Sequence, residues 1–402
     1  MTQYLSTKWT CSVTMFLVAS TAPAAAEVVA PALVITGNVT ADVVGIVEGP
    51  VSKKINVLSN FDLIVEADLD QLVGWRGARL KFHGLSNYGG RPNDFASTLQ
   101  GVNNIEVTQG RTKLYQAYVE QDVFKGRASV LLGLADLNAD FYQNDSAGLL
   151  IAPGFGIGTE LSATGPNGPS IFPSTAPTLR VRFSPRPDYY LKAAVIGADA
   201  GVLGDPGGIN LSMREGALLI GEAGWIGRGK LAVGFWRYTK LQDDIRTMAP
   251  DGTPARQRAQ GAYLLVDQPL TPVSAPGPAV SFFGRFGATD GTTTPFTGGW
   301  QLGALIEKVF PGHPDSQLSF GVTRAMVSRR YRNNAADAGQ VLSGSETGLE
   351  ITFSDQLTPW LRIQPDVQYV LHPGGDPTAP ATVILGIRFA LSASKAFGRT
   401  RH

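Results

Sequence analysis

Apolar and polar residues alternate one for one along much of this chain. In GLEITFSDQLTPWLRIQPDVQYVLHPGG (Gly348 to Gly375), Leu349, Ile351 and Phe353 fall on one face and Glu350, Thr352 and Ser354 on the other. After the break at Gln356-Leu357-Thr358-Pro359, Leu361, Ile363, Val367 and Tyr369 oppose Arg362, Gln364, Asp366 and Gln368. ATVILGIRFAL (Ala381 to Leu391) puts Val383, Leu385, Ile387, Phe389 and Leu391 on one side. Successive side chains of a strand point to opposite faces, so each segment predicts a strand with one oily and one wet face.

Further alternating segments precede these. They lie near Leu33–Val47, Phe61–Leu69, Arg76–Ser86, either side of Phe124–Arg127, Thr178–Phe183, Tyr189–Gly197, Met213–Ala223, Lys230–Thr239, Ala259–Asp267, Val280–Ala288, Trp300–Val309 and Leu318–Ser328. The total is about sixteen strands, near the roughly 9–11 residues that a tilted membrane strand needs. The links sort by parity. Even-to-odd links such as 123–126, 184–188 and 356–358 are tight, whereas 87–112, 137–177, 240–258 and 329–345 are long. Bacterial barrels have short periplasmic turns and long extracellular loops, and a sandwich has no reason to sort its loops this way. The Gly-, Pro- and Asn-rich span 137–177 reads either as a linker between domains or as a functional loop over or inside the barrel mouth.

Three ordered blocks carry a family resemblance. LTPWLRIQPDVQYVLHPGG, LYQAYVEQDVFKGRASVLLGLADLNADF (Leu114 to Phe141) and TLRVRFSPRPDYYLKAAVIG (Thr178 to Gly197) resemble the carbohydrate-selective porins of the OprB type. The resemblance implies an all-β fold, a transmembrane antiparallel β-barrel in the outer membrane of a Gram-negative cell, passing glucose-type monosaccharides into the periplasm. It also implies contact with outer-membrane lipid and lipopolysaccharide, and insertion by the barrel assembly machinery. Such chains commonly end on an aromatic residue of the last strand. Here Phe389-Ala390-Leu391 is followed by SASKAFGRTRH, so 392–402 is expected to be a periplasmic tail on a barrel domain of 27–391.

The N-terminus reads as a secretory signal over 1–26, with Lys8, an apolar run from Cys11 to Ala22 and small residues at Ala24-Ala25-Ala26. Cleavage there removes the single cysteine, hence all thiol chemistry, and lowers Lys+Arg from 34 to 33 against 33 Asp+Glu. A neutral balance leaves no nucleic-acid footprint. Beyond the signal no apolar stretch reaches the roughly 18 residues of a spanning helix. In lipid, then, the chain has to close into a barrel, because only helices and barrels satisfy every backbone group there.

Alternation also nominates the pore wall. Arg79 and Lys81 alternate with Leu80 and Phe82, and Arg180 and Arg182 with Val181 and Phe183. Cations facing lipid at the midplane cost roughly 2–4 kcal/mol, so these should point inward. Glu350, Arg362, Asp366 and Arg388 fall on the same side. The cations either pair with Glu350, Asp366 or Glu120 and merely solvate the lumen, or form a constriction that meets sugar hydroxyls. Trp236 is inward by the same pattern and either stacks on a sugar ring or packs. Trp75, Trp225, Trp300 and Trp360 sit near strand ends, where aromatic girdles lie.

Enzyme chemistry is not supported. His83, His313, His372 and His402 lack metal-ligand spacing, no serine sits in a nucleophile elbow, and the glycines of 152–158 precede no helix pattern. No cofactor is expected. The reading is a one-domain sugar porin. A general or anion-leaning porin, a barrel enzyme such as a lipase or protease, and a lectin-like sandwich are the rivals, and a homo-oligomer is left open.

Overall fold

A computed structural model describes residues 31–272 and 277–398; the expected signal, 1–26, and the last residues, 399–402, lie outside them. The first strands are β1 (Leu33–Glu48), β2 (Lys54–Asp68), β3 (Ala78–Gly89), β4 (Arg111–Val123), β5 (Ala128–Ala135), β6 (Ala176–Arg186), β7 (Tyr189–Gly197), β8 (Ala217–Ile226) and β9 (Lys230–Tyr238). A short hairpin, β10 (Gln242–Met248) and β11 (Pro254–Gln257), stands apart as its own two-stranded sheet. The chain continues through β12 (Gln260–Pro269), β13 (Ala279–Thr289), β14 (Phe296–Glu307), β15 (Gln317–Val327), β16 (Ser345–Thr358), β17 (Leu361–Leu371) and β18 (Thr382–Phe397). Sixteen of the strands form one sheet in chain order, β9 pairing with β12 across the separate hairpin, and β1 pairs with β18, so the sheet closes into an antiparallel barrel. Closure removes every exposed edge, which is what allows a sheet to span lipid.

The seam corrects one expectation. β18 does not stop at Leu391 but runs to Phe397, pairing Asn38 with Ser392 and Leu33 with Phe397. Residues 392–397 are therefore strand, not tail. The reason is the length of β1, whose sixteen residues offer unpaired backbone groups down to Leu33, and pairing satisfies them although the side chains of Ser392, Ala393 and Ser394 carry no strong alternation.

Outward positions form an apolar belt. Phe61, Leu63, Phe82, Leu132, Val181, Leu191, Val233, Phe235, Phe320, Ile351, Val367 and Leu385 are all exposed, as lipid contact requires. Trp75, Trp225 and Trp360 lie at the ends joined by the short turns, while Trp300 faces outward on β14 toward the end with the long loops. That end is extracellular. From it leave 90–110, 136–175, 198–216, 239–259 and 328–344, and from the other end the turns 124–127, 187–188, 227–229 and 359–360.

Two of the long loops fold into the barrel. Segment 136–175 carries short helical turns and packs Leu137, Phe141, Tyr142, Ile157 and Leu161 against the inner faces of β7, β8, β9 and β12. Segment 90–110 packs Ala96, Val102 and Ile105 against Val44, Leu58, Val370 and Ile384. The wall makes room with glycine. A Cβ on Gly287 would stand 1.9 Å from the Glu160 carboxylate, and one on Gly321 2.5 Å from the Phe155 ring.

Candidate functional site

The inward loops are held by wall carboxyl groups whose oxygens accept backbone N–H groups. Glu346 accepts from Leu99 N (2.7 Å) and Gln100 N (3.0 Å), and from Gly374 N (2.9 Å). Glu350 accepts from Ile151 N (2.5 Å) and Ala152 N (2.9 Å). Asp267 takes Ser146 N (2.8 Å) and its hydroxyl (2.6 Å). Arg285 donates to the Gly156 and Gly154 carbonyls (3.0 and 2.5 Å). The two loops meet where Asn104 N donates to Ile151 O at 3.0 Å. They thereby narrow the lumen from two sides.

Below them, toward the periplasmic ends of the strands, the wall carries a ladder of alternating charges. Lys81 Nζ lies 3.5 Å from Glu66, and Arg79 lies 2.8 Å from Asp122 and 3.9 Å from Glu120. Arg180 then bridges Glu120 (2.9 Å) and Asp140 (2.6 Å), and its remaining nitrogen reaches Ser129 Oγ at 2.6 Å. Lys192 continues from Asp140 (3.3 Å) to Glu222 (3.0 Å), and Glu222 accepts from Tyr190 and Tyr263 hydroxyls at 2.7 and 2.6 Å. Alternation supplies the ladder, since every strand member is an inward position. Asp140 comes from loop 136–175. Burial pushes the Asp140 carboxyl up, but Lys192 and Arg180 outweigh it and hold it at about 2.

Exposure divides the ladder into two parts. The side chains of Glu66 (50 %), Arg79 (35 %), Asp122 (30 %) and Asp140 (30 %) reach water in the lumen, while Glu120 (3 %) and Glu222 (0 %) are sealed beneath them. Arg182 is half-buried, and its only partner among the described residues is the Tyr190 ring, 5.8 Å from its guanidinium. A row of charged donors and acceptors facing a narrowed aqueous passage can exchange hydrogen bonds with a polyhydroxylated solute. Among the described residues no group of three His, Cys, Asp or Glu side chains is arranged to hold a metal.

The sequence-nominated residues all face inward, but they do different things. Arg79, Lys81, Arg180 and Arg182 share the ladder face. Arg362 is half-buried and reaches Ser354 Oγ at 3.0 Å, away from the ladder. Arg388 pairs with Asp42 (2.7 Å) and donates to Asn104 Oδ1 (2.7 Å), so it meets the 90–110 loop. Glu350 and Asp366 are buried behind the loops. Neither salt-bridges the nominated cations, and of the three suggested partners only Glu120 does. Trp236 is fully buried among Tyr238, Tyr263 and Leu161, so it cannot stack on a passing sugar. Loop 136–175 covers it, which alternation along β9 cannot register.

Sequence reasoning missed Lys192, Glu222 and Asp122. Their strands carry the same alternation, so the signal was present. Asp140 and Tyr115 had none. Asp140 sits in an irregular loop, and a register shift beside His83 turns Tyr115 inward next to Gln116, where its hydroxyl reaches Asp136 at 2.7 Å.

Comparison with known proteins follows the same lines. Residues 52–392 match the model of the carbohydrate-selective porin, OprB family. The chain is 24 % identical over 370 residues to Porin B of Pseudomonas aeruginosa, covering 82 % of this chain and 80 % of that protein. Its fold is similar to OprB of Pseudomonas putida in a high-pH structure, with a TM-score of 0.82 at 21 % identity over 90 % of this chain and 94 % of that one. The outer membrane channel DcaP of Acinetobacter baumannii is more distant, with a TM-score of 0.56 at 12 % identity over 90 % of this chain and 97 % of that one. With a channel fold, an apolar outer belt and a family match across most of its length, this chain belongs to the carbohydrate-selective porins of the OprB family, in the outer membrane.

Proposed function

We propose that neutral monosaccharides of the glucose type cross this barrel along the ladder face, and that the chain acts as a channel and not as an enzyme. The observation that carries the reading is the juxtaposition of lumen-exposed Arg79, Asp122, Glu66 and Asp140, with the half-buried Arg182, beneath a mouth narrowed by two loops. A sugar that sheds part of its hydration shell recovers hydrogen bonds from this wall. Guanidinium groups supply fixed donors and carboxylates supply acceptors, matching hydroxyls that do both. Glu350, Asp366 and Trp236 serve instead to hold the loops and wall. Binding has to stay weak enough to release the sugar, so millimolar affinity, about −4 kcal/mol, is the expected scale.

The test is single-channel conductance in planar bilayers with glucose titrated in. Concentration-dependent block in the millimolar range supports the reading. Ion current indifferent to glucose, with passage of unrelated small solutes at equal rates, makes the protein a general porin. Insertion by the barrel assembly machinery is part of the same reading.

A further inference from the structure

We propose that the extracellular rim of the arc from β9 to β15 binds the phosphate groups of an outer-leaflet glycolipid through Arg237 and Arg324. On β9, Trp236 and Tyr238 are buried inside the barrel, and Arg237 between them points out, in line with the exposed Leu231, Val233 and Phe235. On β15, Thr323 and Ala325 are buried, and exposed Arg324 continues the outward row of Phe320 and Val322. Its cross-strand partner on β14 is outward Trp300, beside Phe286 of β13. Arg237 is the last outward position of β9, and Arg324 lies one outward position, Met326, short of the end of β15, so both sit at the loop side of the apolar belt. An outward cation is costly at the midplane and nearly neutral near the interface, so this is where lipid-facing arginines are tolerated.

Neither guanidinium has a hydrogen-bond or ion-pair partner among the described residues, and the acids above them are already engaged. Asp244 pairs with Arg330 (2.8 Å), Asp337 with Arg246 (2.8 Å), and Asp243 with Arg256. Asp290 accepts the N–H groups of Thr292 and Thr293 at 2.8 and 2.9 Å. The rim consequently keeps uncompensated positive charge at the depth of the lipid headgroups. The outer leaflet of a Gram-negative cell presents phosphorylated glucosamine lipids at that depth. A planar guanidinium fork matches phosphate oxygens, and the neighbouring Trp300 suits the junction of headgroup and acyl chain. The inference rests on the outer-membrane location and is independent of which solute crosses.

The experiment uses the full-length barrel in neutral detergent, with bisphosphorylated lipid A as probe and native mass spectrometry as readout. Wild type should retain lipid A, and bind monophosphorylated lipid A more weakly. The Arg237→Gln/Arg324→Gln double variant should lose at least threefold in affinity. Heat-modifiable gel mobility and glucose block should be unchanged. Arg256→Gln, which removes an exposed but paired cation from the hairpin, should bind as wild type. Equal lipid A binding by the double variant, or equal loss in Arg256→Gln, overturns the proposal. So does a change in oligomeric state without a change in lipid binding, because the arginines would then face a second copy of the chain.

Discussion

Glu346 and Glu350 stand four residues apart on β16 and grip two different extracellular loops, 90–110 through Leu99 and Gln100, and 136–175 through Ile151 and Ala152. Strand periodicity puts both carboxylates on the inner face. One stretch of wall therefore sets the position of both elements that narrow the channel, and the loops in turn touch each other at Asn104 and Ile151.

Glu350→Gln should loosen the pore. The amide offers one acceptor where two backbone donors need one each, and a buried donor left without its acceptor costs about 1–3 kcal/mol. Single-channel recordings should show flicker and a larger mean conductance, with the barrel still heat-modifiable. Traces as quiet as wild type would mean that the carboxylate does not hold the loop.

Arg180 and Arg182, two residues apart on one wall, should behave differently. Arg180 has all three nitrogens engaged, so Arg180→Ala leaves the buried Glu120 with only the 3.9 Å contact to Arg79 and Asp140 with Lys192 alone, and costs about 3–5 kcal/mol. Its effect should appear as a lower unfolding temperature and altered ion conductance. Arg182→Ala should weaken glucose block about three- to tenfold at unchanged stability. Unchanged block in Arg182→Ala and in an Arg79→Ala/Lys81→Ala variant would show that these cations only solvate the lumen.

The 90–110 loop should tighten in acid. Burial pushes the Glu106 carboxyl up to about 7, and it accepts Asn93 N at 3.2 Å with both oxygens. A raised carboxyl favours the folded loop when protonated, so the stabilisation is complete below the ordinary carboxylate range and is lost as pH rises through about 7. Hydrogen exchange across 93–98, corrected for intrinsic rate, should be several-fold faster at alkaline than at acid pH. Glu106→Gln should remove that dependence, and a dependence that survives it points to another group.

Deleting 392–402 should abolish assembly. The cut removes six register pairs with β1, from Asn38–Ser392 to Leu33–Phe397, and leaves the first six residues of β1 unpaired at the seam. Removing only 399–402 should leave normal amounts of heat-modifiable barrel in the outer membrane. Normal assembly of the longer deletion would show that pairing beyond Leu391 is dispensable.

Alternation along each strand determined the barrel, the inward direction of Arg79, Arg180, Glu350 and Arg388, and, with loop parity, which end faces outward. A period-two pattern is local and, apart from the seam and the step over the β10–β11 hairpin, each barrel strand is bonded to its neighbours in sequence, so little beyond the order of residues was needed. Which inward groups meet the solute was decided elsewhere. Arg180 and Arg182 are equivalent in the pattern, yet Asp140 arrives from forty residues away to occupy one and not the other. Trp236 is inward by the pattern and then sealed by Leu161 and Tyr142 of the same loop. The path of an irregular segment depends on carboxylates and glycines contributed by distant strands, Glu350, Asp267 and Gly287 among them, and no periodicity in the segment itself encodes those contacts.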